Sequence, residues 1–171
     1  MSGVEVAGNL VGGVSCPAIC TFSTGGRWCN NGNGTVTDTT TGLIWLKSVP
    51  SPFVVYVASN SMDSVVYVET ICNGVAGLTD GSAQGDWRLP TQKELLSLTT
   101  GAEHVAFDQQ QLFTGIQQGY YWTTTRGSAM SEVWVVYFNN ASGSPANGSV
   151  SGRSKSLVAN TCYVWPVRSK L

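Results

Sequence analysis

Charge is what this sequence has least of. Of 171 residues only 19 are ionic, nine Lys plus Arg against ten Asp plus Glu, which is 11% of the chain where a typical globular domain carries about 25%. A net charge of -1 leaves no basic footprint for nucleic acid or anionic lipid, so neither is expected as a partner. Histidine is reduced to His104, which removes the commonest general base and metal ligand from almost the whole chain. Apolar runs approaching the roughly 20 residues of a membrane-spanning helix are also missing. The apolar fraction nevertheless stays at 42% with six Trp, so the composition is that of a chain with a core, not of a disordered one. Ser, Thr, Asn and 20 Gly stand where charge would be, and the surface they imply is polar without being ionic.

The five cysteines, Cys16, Cys20, Cys29, Cys72 and Cys162, are an odd set, so at least one thiol is free or shared with another chain if the others are oxidised. Cys16-Pro-Ala-Ile-Cys20 has no second Cys/His pair to complete a zinc site. The Asn/Gly/Asp spacing of Cys29–Asp38 lacks the closing bidentate Glu of a calcium loop and reads as a turn. No metal and no cofactor are expected. A charged segment followed by an apolar leader is not seen at the N-terminus.

Residues 1–28 read as an irregular lead-in and 29–171 as one domain. Val36 and Leu43–Leu46 flank Thr39-Thr-Thr-Gly42 as a β-hairpin would. Val65, Val68, Cys72 and Val75 fall at helical spacing and predict a helix near 62–73. Thr91 with Glu94 three residues on is a capping box behind Pro90, and predicts a helix over 92–99 with Leu95, Leu96 and Leu98 inward. Asp86 and Arg88 are expected to pair across the preceding turn and brace that helix. Beyond Tyr120 the pattern is strand: Tyr121–Thr124, then Glu132–Phe138, then Cys162–Arg168, interrupted at Pro166 as suits an edge. Alternation over Glu132–Phe138 predicts Trp134, Val136 and Phe138 inward, with Val135 and Tyr137 outward. Trp122 and Trp165 join the inward set. The fold class expected is α+β, two helices flanking a twisted, mainly antiparallel sheet with long loops.

In order, Asn33-Gly-Thr-Val-Thr-Asp-Thr-Thr-Thr-Gly-Leu-Ile-Trp45, Gly77-Leu-Thr-Asp80, Gly85-Asp-Trp-Arg-Leu-Pro-Thr91 with Glu94-Leu95, Tyr121-Trp122-Thr-Thr-Thr125, Trp134-Val-Val-Tyr-Phe138 and Val164-Trp-Pro-Val-Arg168 together resemble the C-terminal domain of the Legionella collagen-like protein, a family with a C-type-lectin fold. The resemblance covers about 30–168. Some proteins of this fold are the variable proteins of diversity-generating retroelements, in which a reverse transcriptase rewrites adenine-containing codons near the 3′ end of the gene. The final segment here is similar in position and character. The acidic triplets with which sugar-binding C-type lectins hold calcium do not occur, which argues against calcium-dependent sugar binding. The fold also resembles that of the formylglycine-generating enzyme, which works through paired cysteines. Cys72 and Cys162 are the only candidates in the matching part, and neither lies in a recognisable motif.

The expected function is therefore binding, not catalysis, with a protein or other surface as the ligand and a surface-exposed, virion-associated or secreted location. Between Arg126 and Ser156, 16 of 31 residues are Ser, Gly, Asn or Tyr, and four are charged, the composition of an adaptable paratope. The outward residues expected to meet the ligand are Arg126, Ser128, Met130, Glu132, Val135, Tyr137, Asn139, Ser142, Asn147, Ser149, Ser151 and Arg153. A fixed-specificity adhesin of the same fold is the first alternative, and an enzyme related to the formylglycine-generating fold the second.

Overall fold

A computed structural model describes residues 21–22, 26–49, 62–99, 112–139, 147–154 and 162–170. His104, Ser142, Cys16 and Cys20 lie outside the described residues, as does most of the lead-in. Within them the chain forms strands β1 (Thr21–Phe22), β2 (Trp28–Asn30), β3 (Thr35–Asp38) and β4 (Ile44–Leu46), helices α1 (Met62–Glu69) and α2 (Gln92–Leu96), then β5 (Gly119–Arg126), β6 (Glu132–Phe138), β7 (Val150–Ser154), β8 (Cys162–Tyr163) and β9 (Val167–Arg168). The class is α+β. The strands make two sheets instead of the one expected: β1-β2-β3-β4-β9 and β7-β6-β5-β8. Among these strands every pairing is antiparallel except β5 with β8.

The hairpin expected around Thr39–Gly42 is β3–β4. Asp38 and Leu43 close it by a backbone bond of 2.8 Å, and Gly42 takes φ +73°, a conformation open to glycine at little cost. The last strand breaks at Pro166 as expected, and the break has a topological purpose. β8 pairs with β5 in one sheet and β9 with β4 in the other, so Val164–Pro166 carries the chain between sheets. Trp165 anchors the crossing, its indole N–H donating to the Leu46 carbonyl at 3.1 Å.

Two apolar clusters result. One gathers Trp28, Val36, Trp45, Leu95, Phe113, Tyr121, Val136, Phe138 and Trp165. The other gathers Ile44, Leu46, Val68, Ile71, Leu78, Trp87, Leu89, Trp122, Val133 and Val135. Neighbouring residues of β4, β5 and β6 fall into different clusters, so these strands are packed on both faces. The even alternation expected for β6 fails here. Val133, Val135, Val136 and Phe138 are all buried, while Trp134 and Tyr137 are half-buried. An alternating rule holds for a strand with one wet face; β6 is flanked by β5 and β7 and covered on both sides.

Helix α2 carries the capping box. The Thr91 hydroxyl accepts from the Glu94 N–H, and the Glu94 carboxylate accepts from the Thr91 N–H at 2.7 Å. The regular helix stops at Leu96, short of the expected 99, and Ser97–Thr99 continue in tight turns that still bury Leu98. The brace is not the one expected. Arg88 pairs with Glu94, its two terminal nitrogens donating at 2.9 and 2.7 Å, while Asp86 accepts from the Ala83 N–H. Glu94 wins because it already faces the turn as cap partner, so one carboxylate serves both tasks. Helix α1 also ends early, at Glu69. Tight backbone bonds from Thr70 to Tyr67 and from Ile71 to Val68 close it, which leaves Val75 exposed instead of on a buried face.

Candidate ligand-binding face

Strands β5 and β6 reverse direction between Arg126 and Glu132. Gly127 N–H donates to the Glu132 carbonyl at 2.9 Å and Glu132 N–H to Ala129 at 3.0 Å. A Cβ on Gly127 would meet the Glu132 Cβ at 2.5 Å, so only glycine lets the two strands approach here. The Glu132 carboxylate accepts from the Ala129 N–H at 3.3 Å, which gives Glu132 a part in the turn itself. Arg126, Ser128 and Met130 are exposed, Met130 to 95%.

The register defines what lies beside this tip. Val133 opposes Arg126 on β5 and Arg153 on β7; Val135 opposes Trp122 and Ser151; Tyr137 opposes Tyr120. Directly opposed residues share a face of a sheet. One face thus presents Arg126, Tyr137, Tyr120, Ser151 and Arg153 around a floor of Val133 and Val135. Tyr120 and Tyr137 meet edge-on with ring centroids 4.8 Å apart, and the Arg153 guanidinium lies 4.2 Å from the Tyr120 centroid. Val135, expected to reach the ligand, is fully buried. It is the floor of this face and not a contact residue. Tyr137, Ser149, Ser151 and Arg153 are half-buried, and Asn139 and Asn147 close the β6–β7 connection, the Asn147 side-chain carbonyl accepting from the Asn139 N–H at 3.1 Å.

Tyr120 is not among the outward residues expected from the sequence, and the tyrosine–arginine stack has no local sequence signal. Strand pairing brings Tyr120 to this face, and only an expected β5–β6 register could have shown that.

The thiols have different environments. Cys29 is disulfide-bonded, whereas Cys72 and Cys162 are free. Burial pushes the Cys162 thiol up to about 12, against the opposing pull of the Arg153 charge, which leaves it protonated and unreactive near neutral pH. Among the described residues no group of three or more His, Cys, Asp or Glu is placed to hold a metal ion, and no helix is long and apolar enough to cross a membrane.

The motif pieces converge elsewhere. Asp80 of the Gly77–Asp80 turn accepts from Arg168 at 3.0 Å and from the Ser82 hydroxyl at 2.7 Å, and Ser82 in turn accepts from the Trp87 indole at 3.1 Å. Arg88 and Val167 exchange two backbone bonds, Thr124 N–H donates to the Pro90 carbonyl at 2.9 Å, and Gln92 N–H to the Thr125 hydroxyl at 2.9 Å. Gly34, at φ +86°, packs so closely that a Cβ would stand 2.8 Å from the Gly77 carbonyl oxygen. A family model described as the Lcl C-terminal domain matches residues 34–168. The chain belongs to the Lcl C-terminal domain family. No curated protein and no solved structure matches it. In this Lcl C-terminal domain the residues of Asn33–Trp45, Gly77–Asp80, Gly85–Thr91, Tyr121–Thr125 and Val164–Arg168 hold the sheets and loops to one another, whereas Arg126, Ser128 and Met130 stand exposed at the β5–β6 turn.

Proposed function

We propose that this Lcl C-terminal domain is a ligand-binding, non-catalytic module of a surface protein, built on a C-type-lectin-like scaffold and serving as the variable protein of a diversity-generating retroelement. One observation carries the reading. The motif residues are consumed by the scaffold, while the Arg126–Ser131 tip and the outward residues of β7 are left as a weakly charged polar surface over a floor that is packed on both sides. Side chains can change on such a surface without disturbing the fold, and short polar groups around a few amphipathic anchors suit an adaptable contact. Family membership supports the surface-protein part. The burial of Cys162 and the half-burial of Cys72 in separate surroundings support binding over cysteine chemistry.

The DNA around the gene tests it. A near-identical repeat of the stretch encoding 126–153 is expected, differing from the gene at adenines only, with the differing codons falling on exposed positions such as Arg126, Ser128 and Met130. Absence of any repeat overturns diversification and leaves a fixed-specificity adhesin. Differences concentrated on the codons of Val133, Val135, Val136 and Phe138 overturn the display reading itself.

A further inference from the structure

The five arginines divide unevenly. Arg27, Arg88 and Arg168 each have a carboxylate within 3.0 Å, on Asp38, Glu94 and Asp80 respectively. Arg126 and Arg153 have none among the described residues, and both stand opposite Val133, one on each side of β6. The two unneutralised guanidinium groups therefore occupy the same face. Arg153 is the more confined. It lies over the Tyr120 ring, its Nε is buried without an acceptor, and its charge reaches the Cys162 thiol. The buried Nε shows that the guanidinium is partly desolvated, and a desolvated cation gains from an anion placed beside it. Stacking on an aromatic ring uses the face of the guanidinium and leaves its edge, the terminal nitrogens, for an in-plane carboxylate. Tyr137, edge-on to Tyr120, extends the apolar wall against which the stem of such a side chain would lie.

We infer that Tyr120, Tyr137 and Arg153, with Arg126 at the rim, form a subsite for a carboxylate side chain on an acidic segment of a protein ligand. The inference rests on the ligand-binding reading and adds the chemistry of the partner. Charge complementarity commits it: this face holds two cations and no carboxylate among its described residues, in a chain whose other arginines are all paired. An adaptable polar surface then has an electrostatic anchor in the stacked Arg153, which orients the partner while the tip residues set specificity.

The test uses the full chain, labelled with nitrogen-15, titrated with an acetylated Glu/Asp-rich peptide, its Gln/Asn counterpart and inorganic phosphate. The acidic peptide is expected to shift the Arg153 Nε–H resonance, and to bind more weakly as salt rises. Arg153→Gln, checked to melt as the parent does, should weaken binding about tenfold or more, Arg153→Lys should not restore it, and Lys93→Gln, which removes an exposed charge on α2, should change nothing. Equal binding of the Gln/Asn peptide, or parental affinity in Arg153→Gln, overturns the inference. Phosphate that shifts the same resonance as strongly as the acidic peptide overturns the commitment to a protein carboxylate. Should Arg153→Gln fail to fold, the Nε–H response of the parent protein still decides. None of these outcomes depends on the flanking DNA, so failure here is separable from failure of the ligand-binding reading.

Discussion

Val135 shows how much turns on one side chain. It has the chemistry of a strand residue on either face, and alternation from Trp134 places it outward, yet it is fully buried between Trp122 and Ser151 of the neighbouring strands. Truncating it to Ala should cost about 2 kcal/mol, the transfer and cavity terms of a small core deletion. Met130→Ala, at the exposed tip, should stay within about 0.5 kcal/mol. Urea denaturation of the two variants checks the contrast, and similar losses would contradict the assignment of floor and tip. The same burial governs Cys162. With its thiol pushed up to about 12, the thiolate fraction near pH 7.5 is negligible, so iodoacetamide should leave Cys162 unmodified in the folded protein and alkylate it in urea, as mass spectrometry of the digested protein would show. Cys72, half-buried, should react faster.

At the scale of elements, legibility followed locality. The β3–β4 hairpin and the α2 capping box were readable because a turn or a cap needs particular residues at fixed offsets within a few positions. The early ends of both helices were less so, since β-branched Val65, Val66 and Val68 tolerate a helix without extending it. Which carboxylate would take Arg88 was not readable, because Asp86 and Glu94 lie equally near in sequence and only the folded turn favours Glu94. The partition into two sheets was out of reach for a similar reason: it depends on β8 and β9 choosing different partners across more than 40 residues of chain. Thr91→Ala should cost about 1 kcal/mol. Glu94 adds a pH dependence. Burial is the largest influence on its carboxyl and acts upward, but the hydrogen bonds and charge of Arg88 with those of Thr91 outweigh it, so the folded value lies below the ordinary one. A depressed carboxyl contributes stability that is complete above its unfolded value, about 4.3, and is lost as pH falls through the folded value. Urea midpoints measured from pH 6 down to pH 2.5 should therefore fall less steeply for Glu94→Gln than for the parent; an unchanged slope would contradict the pairing.

For the whole molecule, the motif pieces matter through one another. Asp80, with its side chain fully buried, and Arg168, 7% exposed, join the Gly77–Asp80 turn to the last strand and, through Ser82, to Trp87. Breaking such a pair from one side strands a buried charge, and Asp80→Ala should cost about 3–5 kcal/mol, read from thermal or urea unfolding. What was legible of the candidate site was its composition and its place in the chain. Its floor, and the Tyr120 that sequence order hides, came from strand register. On the proposed reading the molecule divides into a scaffold that the motifs build and a face that can be exchanged, and this division is open to one direct measurement. Replacing the exposed Arg126, Ser128 and Met130 together by Ala and following thermal unfolding should give a single cooperative transition within about 4 °C of the parent, since exposed substitutions are individually near neutral and 1 kcal/mol shifts a chain of this size by about 2–4 °C. A fall of more than about 10 °C, or loss of the cooperative transition, would show that these side chains hold the fold together and would contradict the account.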